Sequence, residues 1–148
     1  MKQANERRRR PPIVIGDRDH ERLTRLAYSA PASLGDAAEE LLAELDRAKV
    51  RPQAALPSDV VRIGSLVTFR AAAAETRTVR LVFPGQADIT EGRISVLTPI
   101  GAALIGLAEG QSMSWDDRSG RRHDLTVLSV SDPDAPEAVM PQAAGASA

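Results

Sequence analysis

The sequence contains no cysteine and few aromatic residues, and each absence excludes a class of chemistry or packing. Without cysteine there is no disulfide, no thiolate ligand for zinc and no thiol nucleophile. Aromatic residues make up 3% of the chain, so a core must be built mainly from Leu, Val, Ile and Ala. Hydrophobic residues amount to 43%, which suffices for one ordinary domain or two small ones in 148 residues.

Long apolar runs and an excess of charge of one sign are also missing. No segment approaches the roughly 20 apolar residues of a membrane-spanning helix, and no apolar stretch follows the basic N-terminal residues as in a secretory signal. The formal net charge of −1 argues against electrostatic binding of nucleic acid by the body of the protein. We therefore expect a cytoplasmic protein that makes no membrane contact.

The two ends of the chain differ in charge. Residues 1–12 carry five basic side chains against Glu6 and end in RRRRPP, which predicts a basic disordered tail. The run at residues 7–10 could anchor the protein to an anionic surface or be merely solvated. Residues 132–148 contain three acidic and no basic side chains and are rich in Pro, Ala and Gly, which predicts a second disordered tail.

Residues 13–50 predict a short β-like entry followed by an antiparallel helical hairpin. Asp17 is suited to cap a helix ending near Tyr28, and Pro31 disfavours further helical geometry. Ser33 and Asp36 have the spacing of a capping box for a second helix. At about 16 residues and 1.5 Å per residue, that helix gives a short coiled-coil hairpin of roughly 24 Å. Its apolar residues advance by three and four positions, at Leu34, Ala37, Ala38, Leu41, Leu42, Leu45 and Ala48.

Beyond a predicted linker at residues 51–57, the hydrophobic period changes to two. Strand-like alternation occurs in residues 60–70, 77–84, 93–97, 112–115 and 122–130. Thr98 suits the N-cap and Pro99 the first position of one short helix, which Gly106 can end in the left-handed conformation. The fold class is therefore α+β, with a mostly antiparallel sheet curled round a short helix in residues 58–131.

Catalytic signals are weak throughout the sequence. His20 and His123 lie in different predicted domains and are best interpreted as surface histidines. Asp116 and Asp117 precede a predicted turn and are interpreted as turn residues facing nearby arginines. The HExxH, P-loop and GxSxG patterns are absent. We predict no catalytic residue, no metal site, no cofactor and no small-molecule substrate.

Residues 88–115 resemble the C-terminal domain of the bacterial Gre transcript cleavage factors. The shared positions are Gly92, Ile94, Ser95, Thr98, Pro99, Gly101, Ala103, Leu104, Ile105, Gly106 and Gly110. Gln111 replaces the Asp that is usual in that pattern. Residues 11–26, 42–50 and 56–70 look like the short-hairpin branch of the same superfamily, the regulator of nucleoside diphosphate kinase.

This resemblance implies an FKBP-like C-terminal domain and RNA polymerase as the partner, docked at the rim of the secondary channel through Thr98, Pro99, Ile100 and Gly101. The cleavage factors insert a long hairpin whose two acidic tip residues help to bind magnesium. The shorter turn of this sequence has one carboxylate, Asp36, which is a candidate tip contact or a helix cap. We expect a monomeric, non-catalytic regulator that competes with Gre-type factors, does not stimulate cleavage and meets nucleic acid only through the polymerase.

Two alternatives remain open. The fold relationship suggests an FKBP-like peptidyl-prolyl isomerase, which would need an aromatic-lined pocket, and Phe69, Phe83 and Trp115 are the aromatic residues of the predicted sheet domain. The family name suggests a protein-binding module for another partner, such as nucleoside diphosphate kinase.

Overall fold

The computed structural model describes residues 10–71, 75–116 and 119–131. The tail predicted at residues 132–148 and most of the one predicted at residues 1–12 lie outside these ranges. Asp117 and Arg118 of the predicted acidic turn also lie outside them. In the part of the chain that the structure describes, no helix is long and apolar enough to cross a membrane.

Two helices follow a short N-terminal strand and pack against each other. Strand β1 (Val14–Gly16) leads directly into α1 (Asp17–Tyr28), and a 3₁₀ turn (Ala32–Leu34) precedes α2 (Gly35–Arg47). Each helix buries one face, through Leu23 and Ala27 of α1 and through Ala38, Leu41 and Leu45 of α2. The predicted apolar stripe of α2 is therefore the buried one, while the coiled-coil description stays a prediction.

The N-caps predicted for the first two helices are wrong. The N-cap of α1 is Gly16, and the Asp17 carboxylate instead accepts a hydrogen bond of 3.0 Å from the Gln53 backbone N–H. The N-cap of α2 is Leu34 rather than Ser33, because the 3₁₀ turn takes up the residues that the capping box would use. This helix has 13 residues instead of about 16.

A second short strand, β2 (Lys49–Arg51), pairs in parallel with β1, and its sequence pattern did not predict it. Residues 51–57, the expected linker, contain the end of β2 and a 3₁₀ turn at Gln53–Ala55. The two short strands bring the start of α1 close to the end of α2. The strand pairing thus joins the two helices at this end.

All five strands predicted for residues 58–131 are present. They are β3 (Leu66–Ala71), β4 (Glu75–Val82), β5 (Arg93–Ser95), β6 (Ser112–Asp116) and β7 (Arg122–Ser131). The sheet order is β5-β4-β3-β7-β6, with every pairing antiparallel except β4 with β5. One helix, α3 (Pro99–Leu104), follows β5. The mixed fold of helices and a curled sheet is confirmed, and its FKBP-like description stays a prediction.

One hydrophobic core joins the helices to the sheet. It includes Leu23 and Leu41 from the helices, Phe69 from β3 and Leu104 from α3, all of which are fully buried. The core thus contains residues from both predicted domains, residues 13–50 and residues 58–131. A separate helical unit is therefore not expected to unfold independently of the sheet.

Gly106 lies where the N-terminal strand meets the end of α3. Its N–H donates to the Val61 carbonyl at 2.9 Å, and its carbonyl accepts from the Val14 N–H at 3.2 Å. Its φ is +84°, and an added Cβ would lie 2.9 Å from the Cβ of Ile13. Glycine is therefore required here for two reasons, the left-handed backbone and the close approach of β1.

Replacing Gly106 by alanine should lower the free energy of unfolding more than the backbone conformation alone explains. The left-handed φ costs about 1–2 kcal/mol for a residue with a Cβ, and overpacking against Ile13 adds about 1–3 kcal/mol. The matched control is Gly110→Ala, because Gly110 has φ +89° but no atom within 4 Å of its added Cβ. Urea unfolding measures both variants, and equal losses would contradict the close packing of β1.

Candidate functional site

The turn before α3 is built as its sequence predicts. The Thr98 hydroxyl oxygen accepts a hydrogen bond of 3.0 Å from the Gly101 N–H and donates to the Ser95 carbonyl at 2.7 Å. Pro99 occupies the first helical position, where a backbone N–H would have no partner within the helix. Gly106 follows the helix with a left-handed φ. The Thr98 hydroxyl therefore bonds both to α3 and to the end of β5, which fixes the direction in which the chain enters the helix.

The four predicted contact residues differ in exposure. Pro99 is exposed, Thr98 and Ile100 are half-buried, and Gly101 is buried. A Cβ on Gly101 would overlap the Ser95 carbonyl oxygen and lie 2.8 Å from the Cα of Val96. Gly101 therefore allows α3 to lie against the preceding strand. Pro99 is exposed at this turn, whereas the half-buried Ile100 packs against the hydrophobic core.

Pro99 and Asp36, which are far apart in the sequence, line the same groove of about 340 Å³. The groove lies between α2 on one side and α3 with β6 on the other. Its apolar lining is Ala43, Pro99, Ala102, Ala103, Met113 and Trp115. Its charged lining is Asp36, Glu39, Glu40, Glu44 and Asp116, with Arg10. The structure thus brings Asp36 of α2 and Pro99 of α3 together on one surface. This surface is apolar at its base, and its charged side chains are predominantly acidic.

Glu44 is a buried carboxylate held by two arginines. One oxygen lies 2.7 Å from the Arg10 Nη1, and the other lies 2.7 Å from the Arg47 Nη2. Arg47 also donates to the Pro11 carbonyl at 2.7 Å. Two guanidinium groups offset the cost of burying the charge, as a carboxylate in this position requires. Glu44 is not among the apolar residues that predicted the buried face of α2, and its i,i+3 spacing from Arg47 was the signal that could have identified it.

Glu40 lies on the same wall of the groove and has a perturbed ionisation. Glu40 is exposed, yet partial desolvation of its carboxyl by the groove raises its pKa above the usual value, and the attraction of Arg10 only partly opposes this shift. The neighbouring carboxylates of Asp36 and Glu44 raise the pKa of Glu40 further. The groove therefore disfavours the charged form of this carboxylate.

The two histidines have contacts consistent with structural roles. The His20 Nε2 lies 3.0 Å from the Leu45 carbonyl, which joins α1 to α2, and His123 stacks on Trp115 with ring centroids 5.3 Å apart. Among the described residues, no group of three or more His, Asp or Glu could hold a metal ion.

Comparisons with known proteins agree with this architecture. Residues 56–132 match the family model described as "Transcription elongation factor, GreA/GreB, C-term", and residues 11–50 match "Rnk N-terminus". The regulator of nucleoside diphosphate kinase from Escherichia coli is 39% identical over 123 residues, which cover 82% of this chain and 90% of that protein. The chain belongs to this regulator family.

The chain is also similar to Gre factors along most of its length. The transcription elongation factor GreA of Azorhizobium caulinodans is 33% identical over 128 residues, covering 82% of each chain. A solved structure of the prokaryotic transcription elongation factor GreA/GreB from Nitrosomonas europaea has 34% identity and a TM-score of 0.65, covering 83% of this chain and all of that one. Both parts of the resemblance stated from the sequence are therefore confirmed.

Glu40 is expected to oppose folding at neutral pH. Because the folded state holds the Glu40 proton more tightly than the unfolded chain, the free energy of unfolding falls as pH rises above the usual carboxyl pKa. Glu40→Gln should be more stable than the wild type at pH 7, and the difference should vanish at about pH 4 and below. Urea unfolding across this range is the measurement.

Glu21→Gln is the matched control, since Glu21 is exposed and pairs with Arg25 at 2.7 Å. It should be no more stable than the wild type at pH 7. A Glu40→Gln variant that is less stable than the wild type at pH 7 would contradict the account of the groove.

Proposed function

We propose that this protein is a monomeric, cytoplasmic, non-catalytic transcription regulator that binds RNA polymerase at the rim of the secondary channel. It competes there with Gre-type factors and does not stimulate transcript cleavage. The observation that carries the proposal is the groove, which joins the Pro99 turn to the Asp36 end of α2 in a member of a Gre-related family. It contacts nucleic acid only through the polymerase.

The contact surface follows from the exposure of the turn. Pro99 supplies exposed apolar surface and Ile100 adds the uncovered part of a half-buried side chain, whereas Thr98 and Gly101 hold the turn in place through their hydrogen bond. Asp36 is exposed on the opposite wall of the groove. A partner that reached both walls would bury an apolar centre with an acidic edge, which is the usual arrangement of a protein interface.

The acidic side chains are poorly placed for cleavage. Binding a catalytic magnesium ion at a hairpin tip requires oxygen ligands at that tip. Residues 29–34, which join α1 to α2, contain no carboxylate, and Asp36 is the first one on α2. At 13 residues, α2 extends only roughly 20 Å. These features support a docked protein that does not promote cutting of the transcript.

The isomerase alternative has less support. Phe69 is fully buried, and the Arg22 guanidinium lies 4.8 Å from the centroid of the Phe83 ring. Of the three aromatic residues considered for a proline pocket, Trp115 is the one that lines the groove. Trp115 is 8% exposed and its ring is stacked with His123, so an aromatic-walled pocket is not formed there.

A direct contact with nucleoside diphosphate kinase is the second alternative. The name of the Escherichia coli relative connects that protein with regulation of this kinase. An effect through transcription would give the same name without a direct contact. Retention of purified kinase on the immobilised protein would favour the direct contact.

Pro99→Arg should weaken binding to core RNA polymerase by about tenfold or more, because a long charged side chain that must lose its water replaces apolar surface at the centre of the interface. The matched control is Ile89→Arg, since Ile89 is an apolar side chain that is 81% exposed and does not line the groove. Pull-down and binding titration with core polymerase measure both variants. Equal binding by wild type and Pro99→Arg would refute the proposed contact between Pro99 and RNA polymerase.

Competition and cleavage complete the same test. Excess Gre factor should displace the wild-type protein from core polymerase. In backtracked elongation complexes, the protein alone should leave the cleavage rate unchanged and should slow Gre-stimulated cleavage. Accelerated cleavage by this protein alone would contradict the proposal.

A further inference from the structure

Three carboxylates form a row along the α2 wall of the groove. Asp36, Glu40 and Glu44 follow one another at intervals of four residues, so they lie on the same face of the helix. Glu44, at the buried end of the row, is held by Arg10 and Arg47. Glu40, in the middle of the row, is exposed and forms no ion pair with a basic side chain among the described residues. The row therefore carries negative charge that the described part of the chain does not neutralise by an ion pair.

Arg10 shows which chemical group this groove accommodates. Its side chain lines the groove and its guanidinium pairs with Glu44 at 2.7 Å. Arginine suits such a surface, because its methylene groups pack on apolar residues while its planar guanidinium bonds to carboxylates. Since no group of three or more His, Asp or Glu in the described ranges could hold a metal ion, a cationic side chain fits this wall better than a free metal cation.

Exposed apolar surface lies in the same groove as this charge. Pro99 and Ala43 are exposed apolar residues of its lining, and Glu39 and Glu40 are exposed carboxylates of the α2 wall. A second copy of the chain docked groove to groove would bring two acidic walls together, which like-charge repulsion disfavours. A segment in which a basic side chain neighbours an apolar one is complementary to both features.

We propose that the RNA polymerase segment that contacts Pro99 also presents an arginine or lysine side chain to Glu39 and Glu40 on the α2 wall. This basic side chain lies beside Glu40 as Arg10 lies beside Glu44, and an apolar neighbour covers Pro99. The inference rests on the proposed function, since it names the chemistry of the partner segment at the same groove. It gives α2 a role in partner choice, because an acidic segment would be repelled there.

Removing the charge of the α2 wall tests the inference. Glu39→Gln with Glu40→Gln should weaken binding to core polymerase about fivefold or more at low salt, because two charge-assisted contacts are lost. Binding by this variant should also depend less on salt, and at about 1 M NaCl, where the Debye length is about 3 Å, it should equal that of the wild type. Because Glu40→Gln is expected to stabilise the fold, weaker binding would not reflect unfolding, and urea unfolding checks this.

Glu21→Gln with Glu91→Gln is the matched control pair. It removes the same charge at exposed positions outside the groove and should bind core polymerase as the wild type does at every salt concentration. Equal effects of the two pairs would show nonspecific attraction and overturn the inference. If Pro99→Arg weakens binding but the α2 pair binds as the wild type does, the proposed function stands and the inference alone fails. If the wild type does not bind core polymerase, both fail.

Photo-cross-linking then locates the basic side chain. Ala43 is exposed in the groove and the chain has no cysteine, so Ala43→Cys carries a single photoreactive group. The group should attach to a core polymerase segment with an arginine or lysine beside apolar residues. Replacing that basic residue by glutamine should weaken binding of the wild type about fivefold or more. It should leave binding of the Glu39→Gln, Glu40→Gln variant unchanged, because the two changes remove one contact. Attachment to an acidic segment, or equal weakening of both proteins, would overturn the inference.

Discussion

The close packing of β1 against Gly106 determines where the helices lie on the sheet. Because this glycine leaves room for Ile13 and bonds to Val14, the N-terminal strand can pass directly beside the end of α3. Strand β1 continues into α1 without a loop, and its pairing with β2 fixes the end of α2. The groove between α2 and α3 is a consequence of this one approach, since its two walls are positioned by the same strand pair.

Buried polar contacts reinforce that geometry at two places. Asp19 is 3% exposed, and its carboxylate accepts hydrogen bonds from Arg22 at 3.1 Å and from the Ile63 N–H at 3.3 Å. Glu44 likewise connects α2 to the segment before β1, through its ion pairs with Arg10 and Arg47. Buried charges of this kind add little net stability, but leaving one unpaired costs several kcal/mol, typically about 3–5. They therefore favour one arrangement of helices on sheet over its alternatives.

Local patterns predicted the elements but not the contacts between distant segments. The Thr98-Pro99 cap and the alternation of the five strands depend on residues close in sequence, so the sequence could predict them. The bond of Asp17 to Gln53 and the strand at Lys49–Arg51 depend on tertiary partners, and both were missed. The 3₁₀ turn before α2 was also missed, although its hydrogen bond from the Leu34 N–H to the Pro31 carbonyl is local. Asp36 and Pro99 were both candidates, yet only the fold shows that they line one groove.

The central claim is that the α2 wall and the α3 turn form a single surface that binds RNA polymerase. Amide hydrogen exchange of the full-length protein, with and without core polymerase, tests this claim directly. The account predicts slower exchange at both residues 35–43 and residues 100–103 on binding, with no change at the exposed turn Ile89–Glu91. Protection confined to one wall, protection elsewhere, or none at all would contradict it.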